Sequence, residues 1–175
     1  MASTPPIFDL YLTLPDVDPP VWRMLRVSSG ATLSRAQRLI CVCFGWAGGR
    51  PYAFHAAGVA FESARRNGDL NDIRLRQLLP DLGSELEFEY GEKSTWLVQA
   101  RVARVHSRDG VMQWPACLDG QGIAPPLNAG GAFAWNERAE VGVEDGSAEA
   151  AVGSSRAITV KAPLDLINAE LERLR

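Results

Sequence analysis

Apolar and polar residues alternate strictly near the start of the chain. From Phe8 to Leu14, Phe8, Leu10, Leu12 and Leu14 interleave with Asp9, Tyr11 and Thr13. This is the period of a strand with one face buried and the other toward water. D-V-D-P-P follows as a rigid turn, with Pro19 and Pro20 biased to extended geometry. Val21–Val27 then reads as a second strand, antiparallel to the first and ended by Ser28-Ser29-Gly30. The period next changes to that of a helix over Leu33–Phe44. Leu33, Ala36, Leu39, Ile40, Cys43 and Phe44 share one face, Thr32 is placed to cap the start and Gly45 to stop the end. Arg35 and Arg38 point outward.

Tyr52–Ala57 and Val59–Phe61 read as short strands turning at Gly58, and Leu75–Leu79 as a short helical segment before Pro80. The cleanest alternation is Ser84–Tyr90, with Leu86, Phe88 and Tyr90 on one face and Glu85, Glu87 and Glu89 toward water. Thr95–His106 is its partner strand: Trp96, Val98, Ala100 and Val102 face in, Gln99 and Arg101 face out. Arg101 can sit across from a strand glutamate, a pairing worth ~0.2–1 kcal/mol. A short helix is expected over Phe133–Val141. An amphipathic helix closes the chain over Pro163–Arg175, with Leu164, Ile167, Leu171 and Leu174 as its stripe. Residues 65–72 are polar and 143–156 small, acidic and Ser/Gly-rich, so both are expected to be mobile, with 142–157 a flexible stretch before the last helix. Runs of strands with one long helix between them define α+β: a bent, mostly antiparallel sheet with helices packed on one face, in a single domain over 1–175.

One segment departs from every period. Trp114–Gly131 holds three prolines, four glycines and a single charge, Asp119. That density of Pro and Gly predicts a long loop, and ordered loops of such length are often functional.

Composition narrows the classes. Apolar residues are 46% and charged residues 22%, as in ordinary globular domains. Residues 1–110 carry 13 basic and 12 acidic groups and residues 111–175 carry 5 and 9, so no polybasic footprint for nucleic acid emerges. The first residues lack a basic region followed by an apolar run, which predicts no signal peptide, and no apolar run approaches a membrane span. Three cysteines cannot all pair and suit a reducing cytoplasm.

Candidate chemistry is sparse. Cys41 and Cys43, two apart on a helix, point about 200° from each other and cannot chelate together. Cys117 has no histidine close in sequence, though His55 or His106 could approach in space; a reactive thiolate there would need a nearby cation. No nucleophile elbow or Walker A motif is present, nor a G-x-G-x-x-G following a strand. Asp119-Gly-Gln-Gly122 is followed by no helix that would cradle phosphate. The three glutamates of 85–89 read as a solvated sheet face. The five tryptophans (22, 46, 96, 114, 135) read as core and loop anchors, or alternatively as the lining of a pocket or interface.

P-P-V-W-R at 19–23, C-F-G-W at 43–46 and P-A-C-L-D-G-Q-G-I-A-P-P-L-N-A-G-G at 115–131, with D-L-I-N-A-E-L at 165–171, together resemble the Ri-plasmid ORF-three-like family, which includes bacterial transposon passenger proteins of the TnpR-like kind. The resemblance spans roughly residues 7–175. It implies an α+β fold with a mixed, strongly bent sheet and a genomic association with mobile genetic elements, with no established activity. It also implies polar positions that this chain has lost. A family histidine is Arg50 here, followed by Pro51. The family's F-G-D-x-W-x-H begins at Tyr90-Gly91-Glu92, reaches Trp96 after two extra residues and reads Val98 where the histidine would stand. The family's C-P-P-E-D-C frame reads Ala124, Pro125, Pro126, Leu127, Asn128 and Ala129. Residue types suited to metal binding or proton transfer are gone, while the Pro, Trp and Gly framework remains.

The resulting expectation is a cytoplasmic, non-catalytic module that binds another protein through the loop face, with Arg50, Tyr52, Trp96, Trp114, Asp119 and Asn128 as contacts and with no metal, cofactor or membrane. Two other classes stay open. One is a hydrolase built on Cys117 or Asp119 with His55 and Glu92. The other is a nucleic-acid-associated protein using Arg23, Arg26, Arg35, Arg38, Arg101 and Arg104, against which the net charge argues.

Overall fold

The computed structural model describes residues 4–63, 70–92, 94–110, 113–145 and 160–175. Its strands are β1 (Ile7–Leu14), β2 (Val21–Ser28), β3 (Tyr52–Ala56), β4 (Val59–Glu62), β5 (Glu85–Tyr90), β6 (Trp96–His106) and β7 (Ala116–Gln121). Its helices are α1 (Leu33–Cys43), α2 (Leu75–Leu78), α3 (Gly131–Asp145) and α4 (Leu164–Glu172). The seven strands form one sheet in the order β4-β3-β5-β6-β1-β2-β7. Every pairing among them is antiparallel, where the resemblance implied a mixed sheet.

The alternations dictate which face is buried. Leu10 stands between Leu25 and Val102, and Leu12 between Arg23 and Ala100, across β2, β1 and β6. Phe54, Phe88 and Val98 form a further row of the same face across β3, β5 and β6. α1 lays Leu33, Ala36, Leu39 and Ile40 toward this face. Its start is fixed by Thr32, whose hydroxyl accepts from the Arg35 amide at 3.1 Å. Phe44 is the cap at the other end, and Gly45 follows with φ +68°. α4 packs on α1 and β7, with Ile167 and Leu171 buried. Arg101 stands opposite Glu85, as expected of the outer face. The β3–β4 turn runs through Ala57 and Gly58 at φ 49° and 77°, the two positive values that a type I′ hairpin turn requires.

Three expectations need correction. Residues 114–131 are not one loop. Their first part is β7, an edge strand that holds no proline between its ends. Its Gly120 reflects close packing: a Cβ there would lie 2.8 Å from Arg23 Cδ and 2.9 Å from Ala162 Cβ. The outer face of β1 is not uniformly wet, because Ile7 and Asp9 are both fully buried. α3 extends to Asp145, well past the short helix expected over 133–141. Of the stretches expected to be mobile, 65–72 and 142–157, residues 65–69 and 146–157 lie outside the described residues.

The sheet carries two bulges. The register shifts between Asp9 and Leu10 against β6, and between Met24 and Leu25 against β7. Each leaves one extra residue on the partner strand, Ala103 and Leu118, and locally bends the sheet. The second bulge turns both Leu118 and Asp119 outward while Cys117 and Gly120 stay buried.

Candidate functional site

The Pro/Gly segment is held down from beneath by three side chains. The first is Arg23. The alternation of β2 turns it toward the core, and it is 1% exposed. Its guanidinium donates to four backbone carbonyls: Nε to Cys43 at 3.0 Å, Nη1 to Trp22 and Gln121 at 2.7 Å each, and Nη2 to Gly122 at 3.0 Å. One cation thus joins the end of α1, strand β2 and the exit of β7. The Cys43 carbonyl belongs to the negative end of the helix dipole, which favours a cation there. The Phe44 ring lies 5.5 Å from the guanidinium carbon. Burial lowers the Arg23 pKa.

The other two are Trp46 and Trp96. Their indole N–H groups donate to the carbonyls of Pro125 at 2.9 Å and Leu127 at 3.3 Å. The rings lie 6.1 Å apart, and Trp46 also stacks on Phe44 and Tyr90. Each tryptophan buries a large ring and spends its single donor on the loop backbone. Gly122 (φ +80°) starts the loop, where a Cβ would meet the Pro20 carbonyl oxygen at 2.7 Å. Leu127–Ala129 forms a turn of 3₁₀ helix, and Gly130 (φ +86°) leads into α3.

The free edge of β7 is closed in an uncommon way. Gly122 donates to the Val160 carbonyl at 2.8 Å and Ala162 donates to the Gly120 carbonyl at 3.1 Å, so residues 160–162 pair with the strand end. Asn168 of α4 completes the edge. Its Oδ1 accepts from the Cys117 amide at 2.8 Å and its Nδ2 donates to the Cys117 carbonyl at 2.9 Å. A side-chain amide thus takes the place of a strand residue and keeps the edge from pairing with another chain. Asn168→Ala should lower stability by about 1–3 kcal/mol, the cost of leaving such groups unsatisfied. Urea unfolding checks this, and Asn168→Asp should be no better because the carboxylate cannot donate to the carbonyl.

Between the loop and α4 lies a groove of about 660 Å³, lined among others by Arg23, Cys43, Ile123, Pro125, Val160 and Leu166. Ile123, Val160 and Leu166 are 48%, 40% and 71% exposed. At its base lies Cys43, whose carbonyl holds Arg23, and β7 sets the buried Cys117 opposite Leu25, the next core-facing residue of β2 after Arg23. The hydrogen bond from Cys43 holds the Cys117 thiol below its usual pKa, burial opposes this, and the Arg23 charge and the Met24 and Asp119 amides add to the lowering. The Cys43 thiol is correspondingly pushed up by its bond to Cys117 and by burial. As a neutral thiol, Cys117 donates weakly to the Asp119 carbonyl at 3.5 Å.

A second polar centre occupies the opposite face, where the sequence suggested none. Asp9 is fully buried, and Arg26 clasps its carboxylate with Nε at 2.7 Å and Nη2 at 2.9 Å. His106 Nε2 lies 2.8 Å from Asp9 Oδ2. The hairpin register carried the signal: pairing Leu14 with Val21 places Asp9 opposite Arg26.

The candidate residues are dispersed. Trp96 is 2% exposed and works from inside the loop, so it offers no contact surface. Arg50, Asp119 and Asn128 are exposed and Tyr52 is half-buried. Trp114 lies under Arg108 and lines a different hollow with Pro5, Val27 and Leu39. The hydrolase set is not assembled. His55 is on β3, beside Glu89 at 3.3 Å, while Cys117 and Asp119 are on β7. Four strands intervene, on the order of 24 Å along the sheet. Glu92 sits in the β5–β6 connection. The arginines form no single patch: Arg23 is internal, Arg26 holds Asp9, Arg35 donates to the Leu174 carbonyl, and Arg101 lies on the outer face. Among the described residues no group of three or more His, Cys, Asp or Glu is arranged to hold a metal. None of their helices is long and apolar enough to cross a membrane.

An antiparallel α+β sheet whose edge strand runs into a loop clamped by an internal arginine and two tryptophans defines the class of scaffold. The plasmid pRiA4b ORF-3-like family model matches residues 6–152, and the chain belongs to that family. The fold is similar to that of a protein of unknown function, MM3350, from Methanosarcina mazei Go1, with a TM-score of 0.72 at 20% identity, covering 84% of this chain and 86% of that one. No curated protein matches the chain.

Proposed function

We propose that this protein is a non-catalytic binding module and that another protein docks on the face made by the Pro/Gly loop and α4. The observation that carries this reading is the exposure of Ile123, Val160 and Leu166 around one groove. Single exposed apolar residues are ordinary, but several converging on a concavity mark an interaction site. A partner that inserts an apolar anchor into the groove fits its lining. Asp119 and Asn128, on β7 and in the loop, supply candidate polar contacts; Arg50 and Tyr52, at the start of β3, do not line the groove, and Trp96 is withdrawn. The dispersal of Cys117, Asp119, His55 and Glu92 supports binding over hydrolysis.

Cross-linking in the native host checks this with the wild type, the double variant Ile123→Glu/Leu166→Glu and, as a control, Arg38→Glu on the exposed side of α1. A stoichiometric partner captured by the wild type and the control should be lost from the double variant. Identical capture by all three would overturn the reading, and a partner that proves to be a second copy of the chain would replace it with self-association.

A further inference from the structure

We propose that Cys43 and Cys117 form a reversible thiol–disulfide centre that reacts with hydroperoxides entering through the groove, with Cys117 as the attacking sulfur, Cys43 as the resolving sulfur and Arg23 as the positioning cation. The centre is independent of the docking reading.

The arrangement meets the needs of such chemistry. A thiolate is the reactive form, and it needs a cation and hydrogen-bond donors around it. Cys117 has the buried Arg23 guanidinium, the Cys43 thiol and two backbone amides. Arg23 directs its hydrogen bonds among the described residues to four neutral carbonyls. The side chains whose charge acts on it are the same two cysteines, so a thiolate at Cys117 would provide a counter-charge to a cation that burial destabilises. The two cysteines come from elements far apart in sequence, are both free and buried, and flank Arg23: its Nε bonds the Cys43 carbonyl at 3.0 Å, and Cys117 stands opposite Leu25, the next residue on the same face of β2. Cys43 occupies the last turn of α1, where small adjustments are least costly. Cys43 and Arg23 both line the groove, which opens the centre to a small oxidant from the Cys43 and Arg23 side.

The reaction balances. The Cys117 thiolate attacks the distal oxygen of the hydroperoxide, the O–O bond breaks, and the alcohol departs with the proton that Cys117 released. Cys117 is left as a sulfenic acid. The Cys43 sulfur then attacks the Cys117 sulfur, the S–O bond breaks, and hydroxide leaves as water with the Cys43 proton. Two thiols have given two electrons to one peroxide. Two equivalents of a small thiol such as glutathione restore the dithiol by exchange.

Cys41 provides an internal control. It is buried on another side of α1, accepts from Gln37 Nε2 at 3.3 Å, and burial pushes its thiol up to about 11.

The test treats the native full-length protein with hydrogen peroxide, blocks remaining thiols with a maleimide, and maps peptides without reduction. The expected result is loss of two of the three free thiols, a Cys43–Cys117 linked peptide, and recovery with glutathione. Cys117 should react on the order of tenfold faster than Cys41. In Cys43→Ser, dimedone should label Cys117; in Cys117→Ser, no linked peptide should form and Cys43 should stay unlabelled. Circular dichroism checks that both variants fold. The proposal is overturned by three intact thiols at a peroxide dose that oxidises free glutathione, by a link through Cys41, or by a link that appears only in urea.

Discussion

Arg23→Met should cost about 3–5 kcal/mol of folding stability, the range for removing one member of a buried, hydrogen-bonded charge arrangement. Methionine fills much of the volume but donates nothing. The carbonyls of Cys43, Trp22, Gln121 and Gly122 then lose a charged donor at once, and buried acceptors left unsatisfied cost about 1–3 kcal/mol apiece before any relaxation. Against a typical total of about 5–15 kcal/mol this is a large fraction. For a chain of this length it should lower the melting temperature by roughly 6–20 °C. Arg23→Lys should recover only part of the loss, because an ammonium cannot span carbonyls on three elements as a planar fork can. Arg38→Met, on the exposed side of α1, should stay within about 0.5 kcal/mol of wild type. Hydrogen exchange locates the defect: protection should fall first at 120–130 and at the Trp46 indole. A Met variant as stable as wild type would show that the loop is held by its prolines and tryptophans alone.

The same residue marks where the sequence could be read and where it misled. The alternation of β2 puts Val21, Arg23, Leu25 and Val27 on one side, so an arginine on the apolar face was visible in the pattern. Grouping the arginines by charge instead placed Arg23 in a surface patch. Strand and helix positions were legible because the periods of 2 and 3.6 are written in side chains that all serve one core. β7 was not, because Gly120 answers to the close approach of Arg23 and Ala162, a tertiary demand that local propensity reads as a loop. Asn168 was equally invisible. Nothing in D-L-I-N-A-E-L says that its amide will stand in for a strand, since that depends on where α4 lands against β7.

The outer face hides its second centre for a related reason. A half-polar strand is assumed wet on its polar side, yet Ile7 and Asp9 are buried there. That end of the sheet is also where β6 ends: His106 stands opposite Ile7, and Arg104 opposite Asp9. A carboxylate enclosed in this way must be paired, and Arg26 and His106 are the groups that pair it.

Asp9→Ala should therefore destabilise the fold by about 3 kcal/mol, toward the low end of the range for splitting a buried ion pair, because Arg26 and His106 retain some access to water. Acid should reproduce part of the effect. Burial raises the Asp9 pKa, but the hydrogen bonds from Arg26 and His106 and their charges outweigh it, so the carboxyl lies below its ordinary value of 3.8. A carboxyl whose folded pKa is depressed binds its proton more readily in the unfolded chain. Its contribution is complete above the unfolded value and is lost as pH falls through the folded one. The stability difference between wild type and Asp9→Asn, which keeps the shape without the charge, should accordingly be level from neutral pH down to about pH 5 and shrink below about pH 4. Urea unfolding of both proteins along that pH series measures it. A difference that stays level through the acid range, or that grows as pH falls, would mean that the Asp9 charge contributes nothing and that the site is held by packing around Ile7.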